Sequence, residues 1–202
     1  MEKVIIATAN RGKAKEFEQM FQAYGIDILT LLDLEEPIDI QETGTTFEEN
    51  ALIKAREVAT RLNMPVIADD SGLEVDALDG RPGVYSARYA GEQKDDQANI
   101  EKVLRELKGV PFEQRTARFR CALAVVFPSG EEFTVHGTCE GYITEQPKGT
   151  NGFGYDPIFY VPEKQCTMAE LPSEIKNKIS HRAHALQQFK KRMDKWFGGK
   201  GE

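Results

Sequence analysis

The sequence has few of the residues that build metal cages and disulfide frameworks. Cys121, Cys139 and Cys166 are the three cysteines among 202 residues, and they are widely spaced. They form no CxxC pair and no cysteine–histidine pattern with the spacing of a zinc site. Because disulfides persist mainly in oxidising compartments, the pattern is typical of reduced thiols in a cytosolic protein.

Long apolar runs and an excess of positive charge are also lacking. No stretch of about 18 apolar residues occurs, so we expect no membrane span. The segment MEKVIIATAN has no long apolar region followed by a cleavage site, so no signal peptide is expected. The chain has 26 Lys and Arg against 33 Asp and Glu, and its net charge is −7. Since proteins that bind duplex nucleic acid are usually basic, we expect no nucleic-acid partner. The missing membrane span and signal peptide lead us to expect a cytoplasmic protein without a membrane partner.

Segments typical of strands and helices alternate along the chain. Residues 3–8, 26–31 and 66–68 have the apolar, β-branched composition of buried strands. Helical patterns separate these segments, and this order predicts α/β layering with at least some parallel pairing. Farther along, strict alternation over 117–127 and a return strand over 132–136 predict a hairpin. The length suits one domain, residues 1–202, of two small lobes.

Three helices carry clear apolar stripes. The first follows the sequence NRGK and has its stripe at Ala14, Phe17, Met20, Phe21 and Tyr24. The second begins with a capping-box pattern formed by Thr46 and Glu49. The last is predicted from about Ser180 to Phe197, with its stripe at Ala183, Leu186, Phe189, Met193 and Trp196.

Two adjacent carboxylates, Asp69 and Asp70, follow the apolar residues of VIADDSGLEV at the predicted end of a strand. Successive side chains of a strand point to opposite faces, so the two cannot reach one ion without a kink. We expect one to enter a site and the other to cap a turn or accept a backbone hydrogen bond. Glu42 or Glu49 could add a second carboxylate, and Mg²⁺ needs only one or two. The competing interpretation is a polar turn that closes the strand.

Two segments have the composition of an anion site. TANRGK, residues 8–13, lies between a strand and a helix, where backbone N–H groups and the helix dipole favour an anion. Lys13 adds a positive charge there, although the GxxxxGK[ST] pattern of a Walker A loop is absent. On the second helix, Asn50 and Lys54 lie four residues apart and share a face, so Lys54 could reach the same anion. The competing interpretation is an ordinary turn with solvated lysines.

Two later segments could hold a nucleoside. In TNGFGYDPIF, residues 150–159, glycines flank Phe153 and permit close approach of the backbone to a ligand. Phe153 and Tyr155 offer ring faces on which a base could stack, unless these aromatic rings belong to the core. His181 and Arg182 begin the last helix, where cations oppose the helix dipole. A local misfit of this kind is typical of a functional site.

Six motifs together resemble the inosine/xanthosine triphosphate pyrophosphatases. They occur in the order expected and cover nearly the whole chain: T-x-N-x-x-K at 8–13, ETGTTFEENA at 42–51, ADDSGLEVDAL at 68–78, PGVYSARYAG at 82–91, GFGYDPIF at 152–159 and K-x-x-I-S-H-R at 176–182. Any one of these motifs alone would be weak, whereas the ordered set is specific.

The resemblance implies both a fold and an activity. The implied fold is α/β, with a long central mixed β-sheet flanked by helices and two lobes with the active-site cleft between them. The implied assembly is a homodimer. The implied reaction is Mg²⁺-dependent hydrolysis of ITP, dITP and XTP to the nucleoside monophosphate and pyrophosphate. Such an activity would keep non-standard purine nucleotides out of DNA and RNA.

The resemblance also implies roles for individual residues. Asp70 would be the general base and a metal ligand, and Glu42 would be the second metal ligand. Some relatives have two glutamates where this chain has Gln41 and Glu42, so Gln41, Glu42 and Glu49 stay open as the residue that completes the metal site. Phosphate or sugar contacts fall on Thr8, Ala9, Asn10, Arg11, Gly12, Lys13 and Ser71. The residues implied to hold the nucleotide are Phe153, Gly154, Tyr155, Asp156, Lys176, His181 and Arg182.

Two other functions stay open at this point. A related pyrophosphatase family acts on modified pyrimidine or purine triphosphates, and a substrate panel separates it from the first. A catalytically silent nucleotide-binding or regulatory protein is the alternative of a different class. The presence of Asp70 and Lys13 argues against a silent protein.

Overall fold

The computed structural model, which describes residues 4–23 and 25–197 and side chains as far as residue 193, contains a seven-stranded open sheet. In chain order the strands are β1 Val4–Ile6, β2 Ile28–Thr30, β3 Val66–Val75, β4 Thr116–Val126, β5 Glu132–Ile143, β6 Phe159–Val161 and β7 Cys166–Thr167. Across the sheet their order is β2-β1-β3-β4-β5-β6-β7. Because β1 is parallel to β2 and β3, whereas β6 is antiparallel to β5 and β7, the predicted mixed sheet is confirmed.

Five α-helices flank the sheet in the part of the chain that the structure describes. They are α1 Arg11–Gln22, α2 Phe47–Leu62, α3 Asp96–Glu106, α4 Ser173–Ile179 and α5 His181–Phe197. The last helix predicted from about Ser180 to Phe197 is confirmed as α5. The extended backbone of Ser180 separates it from α4, which the sequence did not predict. None of the described helices is long and apolar enough to cross a membrane.

The chain divides into two units, and β3, β4 and β5 each have residues in both. Unit 1 comprises Met1–Asp70, Cys121–Gly137 and Arg182–Glu202. Unit 2 comprises Ser71–Arg120 and Thr138–His181. The chain therefore passes from one unit to the other at four points, and two of these lie directly beside predicted site residues, after Asp70 and after His181.

Unit 1 has its own apolar core, to which α1 and α5 contribute the stripes that the sequence predicted. The stripe residues of α1 within the described part are buried, at Ala14, Phe17, Met20 and Phe21. Those of α5 are buried at Ala183, Leu186, Phe189 and Met193. Tyr24 and the side chain of Trp196 lie outside what the structure describes. The helical period of about 3.6 residues is thus sufficient to predict which faces are covered.

Unit 2 is built around a second apolar core. Strand residues from β3 to β6 contribute Leu73, Val75, Phe119 and Phe159, all buried. The rings of Phe119 and Phe159 lie 4.3 Å apart between centroids, an aromatic contact within the range that stabilises a core. This core supports the segment that carries residues 152–156, since Tyr155 belongs to it.

Strand β3 corrects the prediction that Asp69 and Asp70 lie at a strand end. The strand continues through both carboxylates to Val75, so the competing interpretation of a closing turn is also wrong. Its parallel neighbour β1 stops at Ile6, which pairs with Ile67. The two carboxylates therefore follow the point where β1 ends rather than the point where β3 ends. The prediction failed because the apolar pattern resumes with buried Leu73 and Val75 after the polar residues.

Candidate active site

The segment of residues 8–13 in unit 1 is the loop from β1 into the first turn of α1. Asn10 is the N-cap of α1, and its side-chain oxygen accepts a hydrogen bond from the Lys13 backbone N–H at 3.0 Å. The Asn10 N–H in turn donates to Thr8 Oγ1 at 3.2 Å. Thr8 is buried, whereas Ala9, Asn10 and Arg11 are exposed and Gly12 is half-buried. The first turn contains no acid, so the positive end of the helix dipole is not offset within the helix.

The loop before α2 holds Glu42 and is fixed by the helix that follows it. Asn50 Oδ1 accepts from the Gly44 N–H at 2.7 Å, and Asn50 itself is buried. The N-cap Thr46 accepts from the Glu49 N–H at 3.1 Å, as the sequence predicted. The Glu49 carboxylate accepts from the N–H and hydroxyl of Thr45, and the Thr46 N–H of the predicted capping box is a weaker partner. Glu49 is thus occupied in shaping the loop.

Lys54 joins this loop to β3. Its Nζ lies 2.7 Å from Glu42 Oε1 and donates to the backbone carbonyl of Asp69 at 2.6 Å. Burial alone would lower the pKa of Lys54, but the carboxylates of Glu42, Asp70 and Asp69 together raise it. The ammonium is therefore charged at neutral pH and lies among three acids.

Among the residues that the structure describes, Asp69 contacts side chains of other elements. It is buried, pairs with Lys13 Nζ, and lies 3.6 Å from Arg182 Nε. The Cys121 thiol also donates to Asp69 Oδ2 at 3.1 Å. Burial alone would raise the pKa of Asp69, but Lys13, Arg182 and Lys54 hold it well below its ordinary value. These partners come from other elements of unit 1.

Arg182 begins the chain's last passage through unit 1, and its guanidinium is buried. Its Nη1 donates to Glu16 Oε2 at 2.7 Å, and the same guanidinium pairs with Asp69. Lys13, Asp69, Arg182 and Glu16 thus form a cluster of two cations and two anions, here called the buried charge cluster. The role of Arg182 in holding a nucleotide stays a prediction, since its described partners are these two acids.

Asp70 differs sharply from its neighbour. It is 6% exposed, and among the residues that the structure describes none donates a hydrogen bond to its buried Oδ2. Burial raises the pKa of Asp70 to about 6, with Glu42 and Asp69 adding to the rise and Lys54 and Lys13 opposing it. A buried carboxylate oxygen without a donor is costly, so it marks a place where a cation, a water or a substrate group binds.

The donor set around Asp70 fits Mg²⁺ better than a transition metal. Within the described part of the chain, no group of three or more His, Cys, Asp or Glu is arranged to hold a metal ion. Two carboxylates, Asp70 and Glu42, are close enough for Glu42 to raise the pKa of Asp70. Mg²⁺ is commonly held by one or two carboxylates, with waters and phosphate oxygens completing its shell. These two acids would hold the ion, whereas Glu49 is engaged with Thr45.

In unit 2, Lys176 and Asp156 form a buried ion pair. Lys176 Nζ lies 2.6 Å from Asp156 Oδ2, and both residues are at most 5% exposed. The same carboxylate oxygen accepts from the Phe153 N–H at 3.1 Å. The Lys176 ammonium also lies 4.8 Å from the centroid of the half-buried Phe153 ring, a cation–π distance. The structure therefore brings three of the predicted nucleotide-binding residues together.

The remaining predicted residues of unit 2 are held by the core. Tyr155 is buried, and its hydroxyl donates to the Ser86 carbonyl at 2.6 Å, so the competing interpretation of a core aromatic holds for it. The Gly154 N–H donates to Asp96 Oδ2 at 2.9 Å. His181 is buried, with its ring stacked 4.9 Å from that of Phe119. Ser71 is half-buried in β3.

Three residues that shape these groups were missed in the sequence: Glu16, Cys121 and Asp96. Glu16 had a visible signal, because an acid in line with Met20 on the apolar face of α1 must find a buried partner. Cys121 lies in the alternating pattern of β4 and looks like any other buried residue there. Asp96 follows the N-cap Asp95 of α3, where acids are common for helix stability alone.

Comparison with known proteins gives one family and close relatives over the whole chain. The Ham1 family model matches residues 4–192. A dITP/XTP pyrophosphatase of Bacillus subtilis (strain 168) is 62% identical over 194 residues, covering 96% of this chain and 98% of the relative. One of Halalkalibacterium halodurans is 60% identical over 196 residues, covering 97% and 99%.

Solved structures of similar proteins support the fold. The Ham1 protein of Staphylococcus aureus superposes with a TM-score of 0.84 at 46% identity, covering 96% of this chain and 98% of that one. A HAM1 protein of Coxiella burnetii superposes with a TM-score of 0.85 at 42% identity, covering 96% and 100%. The α/β architecture with an open mixed sheet is therefore shared with these proteins.

The turn beside the Lys176–Asp156 pair yields a test of how tightly that pair is packed. Gly152 has φ +72°, and an added Cβ would lie 2.0 Å from Asp156 Oδ2 and 3.2 Å from Lys176 Nζ. Because the added methyl group would overlap the carboxylate, we expect Gly152→Ala to displace Asp156. That displacement would break the bonds of Asp156 to Lys176 and Phe153. Gly154→Ala is the matched control, since it has φ +59° and open space within 4 Å.

Both substitutions should cost about 1–2 kcal/mol of backbone strain, measured by urea unfolding. Gly152→Ala should cost at least about 1 kcal/mol more, because it also disturbs a buried hydrogen bond to a charged group. Equal destabilisation by the two variants would show that the pair tolerates displacement.

Proposed function

The chain belongs to the Ham1 family, and from that premise we propose that it hydrolyses dITP, XTP and ITP to the nucleoside monophosphate and pyrophosphate. The observation that carries the proposal is Asp70, a buried carboxylate with an unsatisfied oxygen among lysines and a second acid. The names of the Bacillus subtilis and Halalkalibacterium halodurans relatives support dITP and XTP as substrates, and ITP rests on the resemblance. Such an activity would keep these nucleotides out of DNA and RNA.

The phosphate contacts of the proposal belong to unit 1. The first turn of α1 supplies backbone N–H groups and the positive end of a helix dipole. Lys13 and Lys54 supply two charges that are already fixed by carboxylates, Asp69 and Glu42. Charges held in place before the reaction stabilise developing negative charge without the cost of reorganisation. This arrangement suits a triphosphate better than a neutral ligand.

The reaction itself is the attack of water on the α-phosphorus, with pyrophosphate as the leaving group. Asp70 orients the water and accepts its proton, a role for which its buried Oδ2, without a donor among the described residues, is available. Mg²⁺, held by Asp70 and Glu42, would supply positive charge to the phosphate oxygens. Catalysis then depends on positioning and charge neutralisation, as in other phosphoryl transfers.

The nucleoside contacts are carried by the resemblance, and they stay predictions for Phe153, Gly154, Asp156, Lys176 and His181. Among these residues, the Phe153 ring is half-buried, whereas the His181 ring is buried. Hypoxanthine and xanthine have an oxygen acceptor at position 6, where adenine has an amino donor. Backbone N–H donors at that edge would leave adenine with donor facing donor, and such a mismatch can exclude an analogue by about 10⁴ or more.

Three further features of the proposal also depend on the resemblance. They are the requirement for Mg²⁺, the homodimer and the cytoplasmic location. The carboxylates Glu42 and Asp70 support the first. The other two stay predictions.

A substrate panel tests the proposed function directly. We expect release of pyrophosphate from ITP, dITP and XTP in the presence of Mg²⁺, with kcat/KM for ATP and GTP lower by about 10² or more. Chelation by EDTA should abolish the release. Similar kcat/KM values for all five would contradict base selection, and preference for modified pyrimidine triphosphates would favour the related family. No release from any nucleotide, with binding retained, would indicate a silent nucleotide-binding protein.

Removal of the Asp70 charge tests the catalytic assignment. We expect Asp70→Asn to lower kcat for the preferred nucleotide by about 10²–10⁴, because an amide cannot accept the proton of the attacking water. Its thermal midpoint should not fall, because the substitution removes a buried charge without a hydrogen-bond donor. The matched control is Asp79→Asn, which changes an exposed aspartate to the same amide. Turnover close to wild type in Asp70→Asn would refute the assignment.

Titration with Mg²⁺ tests which acid completes the metal site. We expect Glu42→Gln to raise the half-saturating Mg²⁺ concentration by at least about tenfold, since loss of even an indirect partner costs that much. Glu36→Gln, at an exposed position, is the control and should titrate like wild type. If Glu42→Gln leaves the Mg²⁺ dependence unchanged, Glu42 is not a ligand and the assignment fails.

A further inference from the structure

Asp69 is a buried acid that the proposed reaction does not use. Its carboxylate pairs with Lys13 on α1 and with Arg182 on α5, while its backbone carbonyl accepts from Lys54 on α2. One residue of β3 thus contacts three cations, all within unit 1. Two of them, Lys13 and Lys54, are the charges to which the proposed function assigns phosphate binding.

Stability alone does not account for this arrangement. The desolvation of buried charges is expensive, and well-packed apolar residues often replace a buried ion pair without loss. Glu16 already supplies one carboxylate to Arg182, at 2.7 Å, whereas Asp69 lies 3.6 Å from the same guanidinium. The closer partner of Asp69 is the Lys13 ammonium, for which it is a fixed, fully buried counter-charge. The carboxylate therefore acts chiefly on Lys13.

We propose that Asp69 is a positioning residue for the phosphate site, which holds the Lys13 ammonium in one place at the start of α1 and keeps the buried charge cluster balanced in charge. The inference rests on the proposed function for its kinetic consequences. Lysine has a flexible stem with rotatable donors, so an unheld ammonium samples many positions. Held by Asp69, it is available at one position when charge develops on the phosphate.

Loss of the Asp69 charge should therefore separate binding from turnover. Asp69→Asn keeps the shape and the backbone carbonyl that accepts from Lys54, but leaves one positive charge uncompensated. A polyanion should then bind more tightly, by at least about threefold. Turnover should fall roughly 10- to 100-fold, because a misplaced charged group stabilises the transition state less than the bound substrate. A merely structural role would lower the thermal midpoint and the active fraction. It would not raise the affinity for a polyanion while lowering turnover.

The experiment measures Asp69→Asn in the full-length protein by calorimetry and by steady-state kinetics. The calorimetric probe is inorganic tripolyphosphate without Mg²⁺, and the kinetic substrate is the preferred nucleotide of the panel with Mg²⁺. We expect a lower Kd for tripolyphosphate together with a lower kcat and a KM that does not rise. Glu57→Gln is the charge-matched control, since it removes one acid from an exposed pair with Arg61 on α2 and should change neither quantity.

A double-mutant cycle tests whether Asp69 acts through Lys13. Lys13→Met should lower the thermal midpoint, because it leaves the Asp69 carboxylate with less compensation. Adding Asp69→Asn leaves Glu16 and Arg182 as a balanced pair, so the midpoint should recover in part. In the Lys13→Met background, Asp69→Asn should lower kcat by less than about threefold, since the group through which it acts is gone.

The outcomes distinguish this inference from the proposed function. Equal tripolyphosphate affinities in wild type and Asp69→Asn, including no binding to either, would overturn the positioning role. The positioning role would also be overturned if the kcat losses of the two single variants multiply in the double variant. If no nucleotide of the panel is hydrolysed, the proposed function fails, while tighter tripolyphosphate binding by Asp69→Asn and recovery of the midpoint in the double variant would still support the control of Lys13 by Asp69.

Discussion

The ion pair between Lys13 and Asp69 is the interaction on which the position of the start of α1 against β3 depends. It joins the first turn of α1 to β3, and Arg182 extends it to α5 and Glu16. All four charges are buried or nearly so, hence each needs the others. Loss of one partner from such a cluster typically costs about 3–5 kcal/mol, because the charge left behind is neither solvated nor paired. The start of α1 is therefore fixed relative to β3 by electrostatics as well as by packing.

The same cluster explains why adjacent aspartates have different chemistry. Successive side chains of β3 leave the strand on opposite faces, so Asp69 and Asp70 meet different neighbours although they share a backbone. Cations outweigh burial at Asp69 and keep its pKa low, whereas burial outweighs cations at Asp70 and raises its pKa to about 6. Two titratable groups whose environments separate their pKa values commonly divide structural and catalytic roles. Asp69 fixes a charge, and Asp70 keeps an oxygen available.

The sequence predicted most of what depends on local periodicity and little of what depends on distant pairing. Apolar spacing was sufficient for the buried faces of α1 and α5, whereas the contacts of Lys54 with Glu42 and of Phe153 with Lys176 emerge only in the structure. The continuation of β3 was missed, because polar residues interrupt its apolar pattern. The partnership of Glu16 with Arg182 joins residues far apart in the chain, and no local rule predicts it. Tyr155 lies in the core, where its hydroxyl donates to the Ser86 carbonyl. This contact also joins residues far apart in the chain.

A common principle links the three lysines assigned to the ligand. Each is paired with a carboxylate of its own unit: Lys13 with Asp69, Lys54 with Glu42 and Lys176 with Asp156. A lysine that is paired in this way occupies one position, although its stem would otherwise be mobile. The pairing also reduces the attraction for simple anions, because each positive charge is already compensated. Within unit 1, an anion must then contact both Lys13 and Lys54 to bind well, which favours a polyphosphate over a single phosphate.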